Sequence, residues 1–133
     1  MKKTAVRVTS LRFPLNNFGG WDIPEGTFIP ARTIIPAESF IGDNCTLGAD
    51  CRVLDGVLAG SYCTFVTGCT FGDSFMPGSD CLFGEGCSFG SGFYAGYSCA
   101  FHDGCSFGDN ARFCEGASFG GGCTFGANPS FND

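Results

Sequence analysis

The sequence predicts an all-β fold, a single-stranded parallel β-solenoid of six coils that follows an N-terminal cap. The first observation is a six-residue repeat that runs from Ile23 to Ser130 without insertion or deletion, which gives eighteen hexads. The second is that cysteines and phenylalanines recur at intervals of eighteen residues, so that three hexads make one coil. Periodicity of this kind is typical of stacked repeat architectures. We therefore divide the chain into a cap, 1–22, and a solenoid, 23–133.

The composition favours one folded domain and excludes several classes of function. The 133 residues include 22 Gly, 16 Phe and 10 Cys, and only 15% are charged. So many aromatic residues are not typical of a disordered chain. The net charge of −6 argues against direct binding to nucleic acid, which requires clustered basic residues. No apolar run is long enough to predict a membrane span, and the basic start lacks the apolar region of a signal peptide.

Each hexad has the pattern of a short strand followed by a turn. Position one is Ile, Leu, Val or Phe with few exceptions, and position two is Gly in most hexads and Pro in the first three. Positions three and four are turn formers, position five is small and most often Cys, and position six is mixed. Positions five, six and one are therefore expected to point in, out and in along a strand.

This pattern resembles the hexapeptide-repeat left-handed β-helix family over residues 23–131. The signature of that family is an aliphatic residue, a Gly or small residue, two free positions, a small residue and one more free position. The resemblance implies triangular coils of three hexads with left-handed winding, and members that typically form homotrimers along flat faces. The chain departs from the family at position one, where Phe replaces the aliphatic residue from Phe65 onward.

The cysteines are interpreted as small buried residues in two columns. Their members are eighteen residues apart: Cys45, Cys63, Cys81 and Cys99 in one column, and Cys51, Cys69, Cys87, Cys105 and Cys123 in the other. A metal site needs ligands that converge on one point, and in-register parallel pairs strain disulfide geometry. We therefore expect free thiols, a reducing compartment such as the cytoplasm, and neither a metal nor a cofactor.

On the third face, a small residue at one inward position is accompanied by a large residue at the inward position two places away. Where position one is small, at Ala59, Pro77 and Ala95, the residue two places earlier is large, at Val57, Phe75 and Phe93. Where position one is Phe113 or Phe131, the earlier residue is Ala111 or Pro129. A close-packed interior requires such compensation, so both positions are predicted to point inward.

The first coil carries features that protect a sheet edge. Pro24, Pro30 and Pro36 occupy the same place on the three faces and remove donors from the exposed edge. Residues 4–13 alternate as a strand would and are expected to cover this end, with Phe13, Phe18 and Trp21 as a plug. The C-terminal end has no comparable cap, so either Pro129 and the polar tail suffice or another subunit covers it.

One outward column predicts an interface. Position six of the third face reads Phe40, Leu58, Met76 and Tyr94, four large apolar residues in succession where solvent-facing polar residues are expected. We expect a homo-oligomer packed through this column, a trimer if the resemblance holds, and possible protein partners, with no membrane contact. The alternative is that the apolar stripe is tolerated on the surface and has no partner.

An enzymatic role rests on a single residue. The family includes acyltransferases, which use a general-base His, and carbonic anhydrases, which use three His ligands. This chain has one His, His102 at a position-two site beside Asp103, and it is a weak candidate base for a transferase with its site between subunits. Cys114, also at position two and beside Glu115, is a weak candidate for a reactive thiol.

Three non-enzymatic functions remain open. The first, which the sequence favours, is a self-associating structural or interaction protein that acts through its surface. The second is an inhibitor that mimics nucleic acid through rows of corner carboxylates: Asp55, Asp73 and Asp109 in one row, Glu85 and Asp103 in another. The third is ice binding through the outward column Thr70, Ser88, Ser106 and Thr124, which is one residue wide and includes Arg52.

Overall fold

The computed structural model describes residues 13–132, and this part of the chain is an all-β parallel solenoid of about six turns without a helix. Its strands are two residues long and alternate among three faces. The first face contains β2 (Phe28–Ile29), β5 (Thr46–Leu47), β8 (Thr64–Phe65), β10 (Leu82–Phe83), β13 (Ala100–Phe101) and β16 (Ser118–Phe119). The second contains β3 (Ile34–Ile35), β6 (Arg52–Val53), β9 (Thr70–Phe71), β11 (Ser88–Phe89), β14 (Ser106–Phe107) and β17 (Thr124–Phe125). The third contains β1 (Asp22–Ile23), β4 (Phe40–Ile41), β7 (Leu58–Ala59), β12 (Tyr94–Ala95), β15 (Arg112–Phe113) and β18 (Ser130–Phe131).

Strands pair in parallel with the strand one coil away. Phe28 is level with Thr46, and Thr46 with Thr64, so each coil contains eighteen residues. In nearly every strand the first side chain points to solvent and the second into the core, as in β6, where Arg52 is exposed and Val53 is buried. The predicted fold class and the eighteen-residue coil are confirmed.

Pro77 interrupts the third face. The register holds on both sides, because Ala59 N–H donates to Met76 O at 2.9 Å and Tyr94 N–H donates to Phe75 O at 3.1 Å. By the same pattern residue 77 would donate to the carbonyl of Tyr94, but proline has no N–H. Consequently no strand forms at residues 76–77, and the third face consists of two three-stranded sheets, β1–β4–β7 and β12–β15–β18. The repeat continues through this point, but the ladder lacks the bond that residue 77 would donate.

The turns require a left-handed backbone at position four of the hexad. Asn44, Tyr62 and Asn110 have φ of 60°, 62° and 63°, and the other hexads have the same sign at this position. Asn, Asp and Gly adopt this conformation most readily, which explains why they are frequent there. The predicted turn at positions three and four is confirmed.

Glycine at position two lets successive coils approach closely. A Cβ placed on Gly84 would lie 2.7 Å from the backbone nitrogen of Thr67, and one on Gly96 would lie 2.6 Å from the carbonyl carbon of Gly78. A side chain added at either glycine would require the neighbouring backbone to shift. This contact is the physical reason for the glycine in the repeat.

Stacked phenylalanines fill the core. Phe65, Phe83 and Phe101 are nearly parallel, with ring centroids 4.8 Å apart at each step. A second column stacks at 4.7 Å from Phe71 through Phe89 to Phe107. Rings of different columns meet edge to face, which is the favourable arrangement for their quadrupoles.

The third face shows the volume exchange that the sequence predicts. Its large inward residues Val57, Phe75, Phe93 and Phe113 are fully buried, and so is Ala111. Pro77 and Ala95 are also buried, whereas Ala59 is half-buried. Near residue 131 the interior opens, because Phe119 and Phe125 are half-buried and 51% of Phe131 is exposed.

The described part of the cap packs on the first coil. Leu15 and Trp21 form an antiparallel bridge, and the rings of Phe13 and Trp21 lie 5.2 Å apart against the core. The predicted plug is therefore correct for these two aromatic residues. It is wrong for Phe18, which is 67% exposed and contacts Phe40 edge to face at 6.1 Å. The strand expected at residues 4–13 lies, except for Phe13, outside the described residues.

Candidate interaction surface on the third face

The apolar column, defined as Phe40, Leu58, Met76 and Tyr94, runs along the outside of the third face. Phe40 is level with Leu58, and Leu58 with Met76. Leu58, Met76 and Tyr94 are 41%, 42% and 37% exposed, and Phe40 is half-buried beneath Phe18. Because adjacent strands are about 4.8 Å apart, these side chains form one continuous apolar stripe.

Opposite charges flank the apolar column. Asp22, level with Phe40, lies at one end, and Arg112, level with Tyr94, lies at the other. Both are exposed. The guanidinium carbon of Arg112 is 5.2 Å from the centroid of the Tyr94 ring, so a cation–π contact holds the cation over the column. Asp22 was not predicted as part of this surface, because it precedes the first hexad.

Two shallow recesses lie beside the apolar column. One of about 340 Å³ is lined by Met76, Pro77, Tyr94, Ala95, Gly96, Tyr97 and Cys114. The other, of about 310 Å³, is lined by Pro14, Asp22, Ile23, Pro24, Phe40, Ile41 and Gly42. Both lie over residues at positions one and two of successive coils. The third face is therefore an apolar ridge with recesses at its flank.

Carboxylates at the turns bind the backbone of the next coil. The Oδ1 atoms of Asp55 and Asp73 accept the N–H groups of Asp73 and Ser91, at 2.8 and 2.9 Å. Asp103 and Asp109 make the same bond to residues 121 and 127, each at 2.8 Å. Four of the five residues of the predicted acidic rows thus have a structural role, and Glu85 lacks this bond within residues 13–132.

The cysteine columns are buried and unbridged. All ten cysteines are free; eight are buried, while Cys114 and Cys123 are half-buried. A thiol at position five donates to the carbonyl of the residue twenty-one places earlier, as in Cys69 to Gly48 at 3.3 Å and Cys63 to Gly42 at 3.2 Å. Burial raises the pKa of the Cys45 thiol above its ordinary value of 9.0. These thiols therefore act as core donors.

In the first coil, side-chain hydroxyls occupy position five, where later coils have cysteine. Buried Thr33 and Ser39 occupy position five and donate to the carbonyls of Pro30 and Pro36, each at 2.8 Å. The hydroxyls bond the position-two carbonyl of their own hexad, whereas the thiols bond the position-two carbonyl of the preceding coil. Small polar side chains at position five thus satisfy a backbone acceptor.

His102 lies on an exposed corner next to the first face. Its backbone N–H donates to Phe83 O at 3.0 Å, and its carbonyl accepts the Cys123 thiol at 3.4 Å. Its side chain borders a shallow recess with Leu82 and Val66. Among residues 13–132 no side chain hydrogen bonds to its ring, and Asp103 is bonded to Gly121 instead. The transferase function stays a prediction.

Cys114 and the hydroxyl column lie at separate places. Cys114 borders the recess beside Tyr94, close to the apolar column. The hydroxyl column lies on the second face, where the Ser106 and Ser88 hydroxyl oxygens are 3.4 Å apart. These two candidates do not form one site with His102.

Comparisons of the chain with protein-family models, curated proteins and solved structures found no match. Over residues 13–132 there is no helix with the length and apolar character to cross a bilayer. The same part of the chain contains no group of three His, Cys, Asp or Glu side chains arranged to hold a metal ion. The surface with the most distinctive chemistry is the third face.

Proposed function

We propose that this protein is a non-enzymatic, self-associating β-solenoid that acts through surface contacts, with the apolar column as its contact surface. The observation that carries the proposal is the run of four large apolar side chains at outward positions of one face. At the same four levels the second face has Ile34, Arg52, Thr70 and Ser88, of which only Ile34 is apolar. Contiguous exposed apolar residues with charged residues at their ends are typical of interaction sites.

The rest of the molecule supports this assignment, because its unusual residues have structural roles. The phenylalanines stack in the core, the thiols at position five donate to carbonyls, and the turn aspartates accept N–H groups. None of these roles explains four apolar side chains that point to solvent. A partner surface does explain them.

The six-residue repeat favours membership of the hexapeptide-repeat left-handed β-helix family. Inward aliphatic or Phe residues, close-approach glycines and turns at positions three and four support this membership. Family members typically assemble along flat faces, which agrees with self-association. The ten unbridged thiols favour a reducing compartment such as the cytoplasm.

The test is the mass of the protein in solution. Leu58→Glu combined with Met76→Glu places two charges within the apolar column, and the expected result is a monomer by multi-angle light scattering. The matched control is Thr70→Glu with Ser88→Glu, at two outward positions of successive coils on the second face, which is expected to keep the wild-type mass. Circular dichroism checks that both variants are folded. A wild-type monomer at all concentrations, or an oligomer that the column variant leaves intact, would contradict the proposal.

A further inference from the structure

We propose that two copies of this chain pack antiparallel through the apolar column about a two-fold axis, with Asp22 of each copy against Arg112 of the other. The proposal rests on the proposed function, that the third face self-associates, and adds the partner and its orientation. It depends on the order of side chains along the third face.

Six outward residues follow one another at successive levels of the third face: Asp22, Phe40, Leu58, Met76, Tyr94 and Arg112. The Met76 to Tyr94 step lacks strand pairing because of Pro77, but the bond from Tyr94 N–H to Phe75 O keeps the two levels adjacent. With steps of about 4.8 Å, the series spans about 24 Å.

This order is self-complementary. A two-fold axis that passes between the levels of Leu58 and Met76 brings the first level of one copy to the sixth level of the other. Asp22 then meets Arg112, Phe40 meets Tyr94, and Leu58 meets Met76, each pair occurring twice. A two-fold interface requires this reciprocity, in which each residue contacts its counterpart in the other copy.

If two copies packed in parallel, residues of like charge would face each other at both ends of the interface. In a parallel dimer, or in a trimer around an axis parallel to the solenoid, Asp22 lies level with Asp22 and Arg112 with Arg112. Like charges across an interface disfavour the arrangement. An antiparallel pair displaced by one coil would place either Asp22 opposite Tyr94 or Arg112 opposite Phe40, and the other charge would lose its counterpart. The charges therefore also select the register.

The position of Arg112 supports the proposal, because basic residues are rare in this part of the chain. After residue 12 the chain has three basic residues, Arg32, Arg52 and Arg112, against thirteen acidic residues in the whole sequence. Of these three only Arg112 is on the third face, where the Tyr94 ring holds it in place. The other end is also ordered, because Asp22 N–H donates to Pro14 O at 2.7 Å.

The charge pairs set orientation, and the four central residues supply most of the affinity. Exposed ion pairs contribute little each, whereas the aromatic pair and the aliphatic pair remove apolar surface from water. The column is one residue wide and smaller than the roughly 800 Å² per partner of a standard interface. Measurements should therefore extend to high protein concentration.

The experiment exchanges the charges. Asp22→Arg places two arginines opposite each other in the antiparallel dimer, and Arg112→Asp places two aspartates opposite each other. Each variant alone is expected to self-associate about tenfold more weakly than wild type by sedimentation equilibrium, as two reversed ion pairs imply. A one-to-one mixture of the two variants is expected to restore a heterodimer. The double variant in one chain is expected to restore the homodimer.

The matched control is the double variant Asp22→Arg with Arg52→Asp in one chain, which reverses a basic residue on the second face in place of Arg112 and is expected to associate as weakly as Asp22→Arg alone. Native mass spectrometry counts the copies, and circular dichroism verifies the fold of each variant. Trimers, or an absence of heterodimers and of rescue by Asp22→Arg with Arg112→Asp in one chain, would overturn the antiparallel arrangement while self-association stands. A wild-type monomer at every concentration would overturn self-association itself.

Discussion

The carboxylate of Asp55 accepts a hydrogen bond from the backbone N–H of Asp73, one coil away, at 2.8 Å. Asp73 repeats the bond to Ser91, so that a turn side chain of one coil satisfies a backbone donor of the next. The bonds run along the solenoid axis, as the strand ladders do. The turns are therefore joined from coil to coil by side chains.

Replacing Asp55 by Ala is expected to lower the free energy of unfolding by about 1 kcal/mol, because one N–H loses its acceptor. Asp55→Asn keeps an acceptor oxygen and is expected to retain most of the stability. Glu85→Ala is the control, because Glu85 is also an exposed turn carboxylate but does not make this bond. Urea denaturation measures all three, and equal losses for Asp55→Ala and Glu85→Ala would refute the structural role.

Gly84→Ala is expected to destabilise the protein by about 1–3 kcal/mol, because the added Cβ would lie 2.7 Å from the Thr67 nitrogen. Gly121→Ala is the matched control, since the nearest atom to its Cβ is 3.9 Å away. That variant is expected to be neutral or slightly stabilising. Thermal unfolding compares the two, and a similar loss at both sites would show that close approach is not the cause.

Tyr62→Asn is expected to stabilise the protein by about 1 kcal/mol. Tyr62 has φ of 62°, a conformation that is unfavourable for a bulky residue and well tolerated by Asn. Tyr97 is also an exposed tyrosine, 58% against 61%, but is not in the left-handed region, so Tyr97→Asn is expected to give no gain. Chemical denaturation of both variants tests the role of backbone strain.

Thiol labelling is expected to separate the cysteines into two groups. The denatured protein should react at ten thiols, whereas the native protein should react quickly only at Cys114 and Cys123, the two that are half-buried. The other eight need the solenoid to open before a reagent can reach them. Fewer than ten thiols after denaturation under non-reducing conditions would reveal disulfides and contradict the structure.

The buried Cys45 thiol is expected to contribute stability that is lost in alkali. The pKa of the Cys45 thiol is raised by burial, so the folded state holds this proton more tightly than the unfolded state does. The contribution is complete below the ordinary thiol pKa of 9.0 and is lost as the pH rises above it. Denaturation at pH 7 and at about pH 10.5 measures the loss, and Cys45→Ser, whose hydroxyl does not titrate in this range, should show a smaller one.

The repeat allowed most of the fold to be predicted, because an interval of eighteen residues corresponds to direct contact between coils. Phe65 and Phe83 are separated by that interval and stack at 4.8 Å. The bonds of Asp55 and Asp73 could not be predicted in this way, since they depend on the direction of a backbone N–H within a turn. Position-two glycines were recognised, but their contact with the previous coil is visible only in three dimensions.

The candidate surface was predicted in part. Phe40, Leu58, Met76 and Tyr94 follow from the repeat alone; the structure places them in one outward column, in which Phe40 is half-buried and the other three are exposed. Asp22 was missed because it belongs to β1 but precedes the first hexad, so only strand pairing shows that it continues the column. Pro77 was interpreted through its volume, whereas its missing N–H decides the hydrogen bonding of the third face.

The missing donor at Pro77 divides the third face into two sheets, whereas the other two sheets run through all six coils. In a linear array whose units are held mainly by their nearest neighbours, a missing link lowers the energy needed to part the array at that point. A pulling force along the axis should therefore extend the molecule in two stages, the first when the coils on either side of Pro77 separate. The rod is expected to yield first between the levels of Met76 and Tyr94, a step that lies within the apolar column.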